Sequence, residues 1–418
     1  MLANTKIIRE INHPLNQNYE ACTGCLACVA SCPNNAIDVN TNTEGFIYPR
    51  INNLLCNDCG LCQDTCPVYL NIKSTTKIKK LDEEKILDVY AAWHLDDKIR
   101  KDSSSGGVFS ALAEEVIKMG GVVVGAAFDE HQKLYHVLIE RRDDLEILRG
   151  SKYLQSEIRP ELYIKIREVL EQKRTLLFSG TPCQVAGLNS LLCKAYENLI
   201  CCDVACHGVP SPKVFDAYKI MLEKQYKANV RRIAFRRKNF GWKRYSVLVS
   251  FENNTEYRSV YNEDPFMLGF LRNLYLRPSC YVCQFACIDR PGDITFADFW
   301  GVGEKYPEYD KDDKGTSLIL VNSAQGNWWF NQIRKSLFVG IANIDTAVKG
   351  NPILSQPSVR PLARDTFFRD LGQISFEEVI RKYQLYVPSL IQKYFRAIKR
   401  RIKRVMKHKT INGHNFPA

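Results

Sequence analysis

Eight cysteines near the N-terminus set the first chemical constraint. Cys22, Cys25, Cys28 and Cys32, followed by Pro33, form C-x2-C-x2-C-x3-C-P, and Cys56, Cys59, Cys62 and Cys66, followed by Pro67, repeat it 34 residues later. In such a run three thiolates reach three corners of one iron–sulfur cube and the fourth crosses to the other cube. The proline turns the chain away. The expected sets are Cys22, Cys25, Cys28 and Cys66 for one 4Fe–4S cluster, and Cys56, Cys59, Cys62 and Cys32 for the second. Zinc favours separated C-x-x-C pairs over two tight quartets, so the block reads as a bacterial-type ferredoxin.

A third group is more open. Cys280, Cys283 and Cys287 lie in RPSCYVCQFACIDRPGDITFADFWG (277–301), Cys206 precedes His207-Gly208-Val209-Pro210, and Cys183 follows Thr181-Pro182. Spacing alone leaves a third cluster, a zinc site or scattered core thiols. Ser104, Ser105, Gly106 and Gly107 precede a helix whose free N–H groups could cradle a pyrophosphate, and Ser179, Gly180 and Thr181 occupy another strand-to-helix turn. Lys152 could offset the charge of a phosphate or a reduced ring. Each of these also reads as a plain cap, turn or surface lysine. His207 reads more as a structural neighbour of Cys206 than as a proton donor, Asp298 divides evenly between a pocket group and a buried turn, and Phe299 and Trp300 read as core. There is no Ser-His-Asp or Cys-His hydrolytic set, and no catalytic residue is assigned.

These groups need a scaffold. DVYAAWHL (88–95) has the pattern of a strand, SSSGGVFSALAEEVIKMGG (103–121) that of a loop, helix and glycine stop, and 122–128 and 134–140 that of a strand pair. A helix from residue 161, a buried strand at 175–180, a helix opened by TPCQVAGL and a strand at 198–206 form an alternation that calls for a parallel α/β layer. Residues 231–262 alternate as strands, 376–407 are expected to be helical, and the Lys-rich stretch 71–85 reads as a linker. Cys193, Cys201 and Cys202 lie in apolar stretches and are expected to be buried.

The chain also resembles the beta subunit of coenzyme F-420 hydrogenase/dehydrogenase. The residues carrying the likeness are SSSGGVFSALA (103–113), RGSKYLQS (149–156), FSGTPCQVAGL (178–188), CDVACHGVPSPKVF (202–215) and the 277–301 segment, five motifs in order over roughly 85–345. The resemblance implies FAD beside a 4Fe–4S cluster. It favours a third cluster on Cys206, Cys280 and Cys283, then Cys287, with Cys183 as the competing fourth ligand. A flavin also suits the chemistry, since clusters pass single electrons and organic reductions usually need two. The fold class implied is α+β multidomain: a dicluster ferredoxin domain (1–75), N-terminal (85–165) and C-terminal (166–350) flavin/iron–sulfur domains of the family, and a basic helical tail (351–418).

Composition narrows the rest. Hydrophobic residues make up 45% and charged residues 25% of 418, as in ordinary globular chains of two to three domains. No apolar run approaches the ~20 residues of a membrane span, and MLANTKIIREINHPLNQ lacks a signal-peptide core, so a cytoplasmic location is expected, with thiols serving metal rather than disulfides. The net charge of +12 belongs to one segment: 389–410 holds nine Lys and Arg and no acid, leaving 49 basic against 46 acidic residues elsewhere. Leu390, Ile391, Tyr394, Phe395, Ile398, Ile402, Val405 and Met406 would form one face of a helix there. That helix would lie on the inner membrane surface or pack on the body; nucleic acid is the least favoured partner.

The function expected is an FAD- and 4Fe–4S-dependent oxidoreductase. It would take electrons from reduced ferredoxin or a similar redox protein and pass two to a deazaflavin coenzyme or another organic substrate, a small molecule or a glycan-linked one in surface-polysaccharide synthesis. The alternatives are a non-catalytic electron-transfer subunit of a larger complex, and a membrane-attached redox sensor.

Overall fold

The computed structural model describes residues 20–70 and 88–386; the expected linker and the basic segment 389–410 lie outside them. In the N-terminal module, helix α1 (Ala27–Ala30) leads into strand β1 (Ile37–Thr41). That strand pairs antiparallel with β2 (Ile47–Ile51), Ile37 opposite Ile51, before helix α2 (Leu61–Asp64). The 34-residue repeat recurs in the backbone. Gly24 and Asp58 take φ of 70° and 57°, and Leu26 and Gly60 take 61° and 78°. Such left-handed turns before each short helix aim successive N–H groups into one concavity, the arrangement that receives anionic clusters.

The body is built on β3 (Asp88–His94), α3 (Val108–Lys118), β4 (Val122–Phe128), β5 (Leu134–Ile139), α4 (Pro160–Glu171), β6 (Leu176–Gly180), α5 (Pro182–Leu192), β7 (Leu199–Val204), α6 (Pro212–Tyr226), β8 (Val230–Arg237), β9 (Ser246–Phe251), β10 (Glu256–Val260), β11 (Ile294–Asp298), β12 (Ser317–Val321), β13 (Leu337–Ile341), α7 (Arg364–Leu371) and α8 (Phe376–Lys382). Eight strands form one sheet in the order β13-β3-β12-β11-β7-β6-β4-β5. Its centre, β11-β7-β6-β4, is parallel, with Val122 opposite Leu176 and Leu176 opposite Leu199. Antiparallel strands flank it.

The central strands are apolar on both faces because helices cover both. Val123, Leu177, Ile200 and Cys202 pack on one side, and Val124, Phe178, Leu199 and Cys201 on the other. Cys201 and Cys202 are thus core residues. Cys193 is not: α5 ends at Leu192, and Cys193 caps it in the left-handed region (φ 57°) with an exposed thiol donating to Ser190 O.

The antiparallel sheet β10-β9-β8 closes a second core with α6, α7 and α8, rich in aromatics such as Phe215, Tyr218, Phe235, Phe266 and Tyr275. Phe367, Phe376, Val379 and Leu385 belong to this core, so residues 351–386, expected as part of a tail, are packed into the body. Within the stretch expected to be helical over 376–407, α8 stops at Lys382 and Gln384 takes φ 53°; 387–407 lie outside the described residues. Among the described residues no helix is long and apolar enough to cross a membrane.

Candidate functional site

Parallel strands end at the same edge of a sheet, so the turns that follow them converge. Gly180 ends β6; Thr181 then starts α5, its N–H donating to Gln184 Oε1 at 3.0 Å, with Pro182 in the first turn and Cys183 Sγ 3.1 Å from Thr181 Oγ1. Cys206 lies two residues beyond β7. His136, on β5, pins this edge: its ring nitrogens meet Ser156 Oγ at 2.7 Å and Ser179 O at 3.1 Å. Burial holds its pKa down to about 4, so the ring is neutral, with Nε2–H assigned as donor to Ser179 O.

Cys183, Cys206, Cys280 and Cys283 line one void of about 40 Å³. Burial first, and then the thiols of Cys280, Cys183 and Cys283, push Cys206 well above the ordinary thiol range. The Val209 N–H donates to Cys280 Sγ at 3.3 Å. Cys287, read from the sequence ahead of Cys183, stands outside this group, its thiol donating to Asp289 O at 3.1 Å. Phe285, Ala286 and Arg290 of the same loop do line the void, while Arg290 donates to Phe285 O and Cys287 O and is itself held by Asp203 at 2.7 Å.

The N-terminal thiols fall into two neighbourhoods. Cys25 is pushed up to about 12, by burial and then by Cys66 and Cys22, and Cys28 is raised by burial and then by Cys25, Cys22, Cys66 and Cys62. Cys62 is pushed up to about 11, by burial and then by Cys56, Cys59 and Cys32. Cys66 thus sits with the first run and Cys32 with the second. Among the described residues no three His, Cys, Asp or Glu side chains close to single-ion distances; a cubane instead spreads its thiolates over separate corners. Buried thiols of this kind ionise when a metal supplies the compensating charge, so the donor set fits iron–sulfur chemistry. The first neighbourhood is packed on the body. Tyr163 Oη donates to Cys25 O at 2.8 Å, and a Cβ on Gly187 of α5 would stand 3.0 Å from Cys25 Sγ. The second faces outward, with Cys59 exposed.

Beside the Cys183 void lies a cavity of about 490 Å³, which shares Thr23, Cys183, Cys206 and His207 with it. That volume is within the ~300–1,000 Å³ of cofactor sites. Ser104, Ser105, Gly107, Lys152, Ser179, Gly180 and Thr181 line it. Gly106 does not: its N–H donates to Ser317 Oγ at 2.8 Å, and a Cβ would collide with the Ala92 carbonyl. Lys152 lines the cavity, yet its ammonium donates to Leu148 O, Arg149 O and Gly150 O, and burial pulls its pKa down to about 7.

A cation at this cavity missed by sequence reasoning is Arg236. It pairs with Asp298 through two 2.7 Å bonds and lies 4.0 Å over the Tyr245 ring. Its Nε is buried with no protein partner, as is His207 Nε2. Asp298 also accepts from Trp242 Nε1 at 2.7 Å, and Trp242 stacks on Trp300, which lines the cavity while Phe299 is core. Aromatic walls, serine hydroxyls, a helix N-terminus and an unpaired guanidinium N–H fit an aromatic, phosphate-bearing cofactor such as a flavin.

A mixed α/β sheet with a cysteine-bounded cavity at its carboxyl edge, joined to a dicluster module, defines an iron–sulfur electron-transfer protein. Residues 21–69 match the 4Fe-4S dicluster domain, 89–160 the N-terminal and 173–347 the C-terminal domain of the coenzyme F420 hydrogenase/dehydrogenase beta subunit. The latter two together span more than half of the chain, which therefore belongs to the coenzyme F420 hydrogenase/dehydrogenase beta-subunit family. The chain is 25% identical over 318 residues to a subunit of the F(420)H(2) dehydrogenase of Methanosarcina mazei, covering 71% of this chain and 84% of that one. It is 27% identical over 174 residues to the coenzyme F420-dependent sulfite reductase of Methanocaldococcus jannaschii, covering 41% of this chain and a quarter (25%) of that protein. A chain of the F420-reducing NiFe hydrogenase complex of Methanosarcina barkeri aligns at a TM-score of 0.44 and 16% identity, over 66% of this chain and 91% of that one.

Proposed function

We propose that the protein is an iron–sulfur flavoprotein oxidoreductase that takes single electrons from reduced ferredoxin or a similar redox protein and exchanges pairs of electrons with an organic partner. Cys22, Cys25, Cys28 and Cys66 would hold one 4Fe–4S cluster, Cys56, Cys59, Cys62 and Cys32 a second, and Cys183, Cys206, Cys280 and Cys283 a third. FAD would occupy the larger cavity. When bound, these groups supply one-electron transfer and its conversion to two-electron chemistry. The observation carrying the reading is that Cys183 and Cys206 belong to both voids.

The chain's own residues act as binders and orienters. The α3 N-terminus and Ser104 would hold a phosphate, and the Arg236 Nε–H would supply a donor to the ring. Tyr245, Tyr153 and Trp300 exclude water. The organic partner would be a deazaflavin coenzyme, a reading supported by relatives whose names carry F420. A second reading is favoured by one of those names: the M. mazei relative is part of a larger dehydrogenase, and in that case the organic reaction belongs to a partner chain.

Anaerobic purification with iron, sulfide and flavin measured per chain tests the proposal. About twelve irons and one FAD are expected for three cubanes; about eight irons and no flavin would leave only the ferredoxin module. Cys183→Ala should lose about four irons and Cys287→Ala none, and the reverse result would overturn the ligand set. Turnover of a reduced deazaflavin by the isolated chain separates the enzyme from the electron-transfer reading.

A further inference from the structure

Arg277 stands between the first ferredoxin run and the Cys280 turn, and only 1% of its surface is exposed. Its Nε donates to Cys22 O at 2.8 Å, Nη2 to Ile47 O at 2.9 Å, and Nη1 to Gln155 Oε1 at 2.9 Å. Nη2 also approaches Cys22 Sγ at 3.9 Å, and the guanidinium lies 4.1 Å over the Tyr48 ring. On its other side the main chain joins the interior group. Its N–H donates to Val209 O at 2.8 Å, and its carbonyl accepts from Cys280 N at 2.9 Å. Gly24 packs against this pair: a Cβ there would meet the Gln155 side-chain amide first and then Arg277 Nη1 at 2.9 Å. Among the described residues no carboxylate pairs with Arg277, whereas Arg290, the other guanidinium at the Cys183 void, is neutralised by Asp203 at 2.7 Å.

We infer that Arg277 is a positioning residue that gives the Cys22/Cys25/Cys28/Cys66 and Cys183/Cys206/Cys280/Cys283 clusters a shared buried positive charge, raising both reduction potentials above that of the outer Cys56/Cys59/Cys62/Cys32 cluster. This rests on the cluster assignment proposed above. Reduction adds one electron, and so one negative charge, to a cubane, and a fixed cation a few ångström away in a poorly screened interior stabilises that form. A donor N–H near a ligand sulfur acts in the same sense. The same charge reaches Cys183 and Cys280, opposing the burial that pushes each thiol up to about 12. Electrons arriving at the outer cluster would then run downhill into the body.

The test is a mediated redox titration of the full chain, loaded anaerobically with iron and sulfide and followed by electron paramagnetic resonance. Arg277→Met and Gln155→Glu, the latter setting a carboxylate against Nη1 without removing the arginine, should each lower the two inner midpoints. The outer one should stay unchanged, with iron per chain at the wild-type level. Arg277→Lys, which keeps the charge and loses the fork, should fall between. Should Arg277→Met fail to hold its clusters, Gln155→Glu alone decides. Inner midpoints at wild-type values in a fully loaded Gln155→Glu chain, or three midpoints falling together, overturn the inference. Iron content separates the two claims: a wild-type chain with only about eight irons removes the third cluster from the reading, while the shift of the Cys22 midpoint still reports on Arg277.

Discussion

Arg290 Nη2 donates to Asp203 Oδ1 at 2.7 Å, and neither side chain is appreciably exposed. Gly292 N–H takes the other carboxylate oxygen at 3.1 Å. Breaking such a pair leaves a buried charge without a partner, at about 3–5 kcal/mol. Arg290→Met is therefore expected to lose about that much stability at neutral pH. The loss should depend on pH in a definite sense. Burial raises the Asp203 pKa and the Arg290 charge opposes that rise; without the arginine the folded-state value climbs further above the unfolded one. The folded state then binds the proton more tightly, so stability is fullest at acidic pH and falls as pH rises through the folded-state value. Denaturant unfolding of Arg290→Met at mildly acidic and at neutral pH should show the smaller deficit in acid; equal deficits would mean that Asp203 is not the group left stranded. None of this was visible in the sequence. An arginine in a C-x-x-C-rich loop carries no mark of a partner 87 positions away, and the same holds for Arg236 and Arg277.

The elements themselves were more legible, for physical reasons that differ along the chain. TLLFSG and NLICCDVAC read as buried strands because parallel strands under helices are continuous apolar runs, and Thr181-Pro182 marks a helix start by its own chemistry. SLILV (317–321) and LFVGI (337–341) pair with β3 across more than two hundred residues, so nothing local betrays their place in the sheet. The residues of the Ser103–Gly107 turn divide between cavity and sheet. Its serines do line the cavity, while Gly106 serves the sheet: His94 N–H donates to Gly106 O at 2.8 Å, and Gly106 N–H reaches β12. Gly106→Ala forces a methyl into the Ala92 carbonyl and should destabilise the chain by about 1–3 kcal/mol. Thermal unfolding checks this, and an unchanged midpoint would mean that the turn lifts freely from β3. The neighbouring Gly107 is a different case, since its φ of 89° is what begins α3.

Across the whole molecule the cysteine groups differ in what covers them. Cys183 and Cys206 line interior voids, the Cys25 loop is covered by α4 and α5, and Cys59 faces solvent. Around that outer end stand Leu54 at 95% exposed, Leu55 at 52% and Leu61 at 45%, interleaved with Asp58 and Asp64. Apolar side chains gathered at the outward end of an electron path mark the face a redox protein would touch. Leu54→Asp with Leu61→Asp should slow reduction by a protein donor several-fold and leave reduction by dithionite and the unfolding midpoint unchanged. Equal slowing with both donors would place the effect inside the module rather than at its surface. The contrast between Cys59 and the Cys25 loop has a bearing on survival in air. Dioxygen meets the exposed Cys59 directly, whereas Cys25 and Cys28 are buried under α4 and α5, so damage within the dicluster module should begin at its outer end, and a partly bleached sample would be one that has lost its entrance while keeping the inner half.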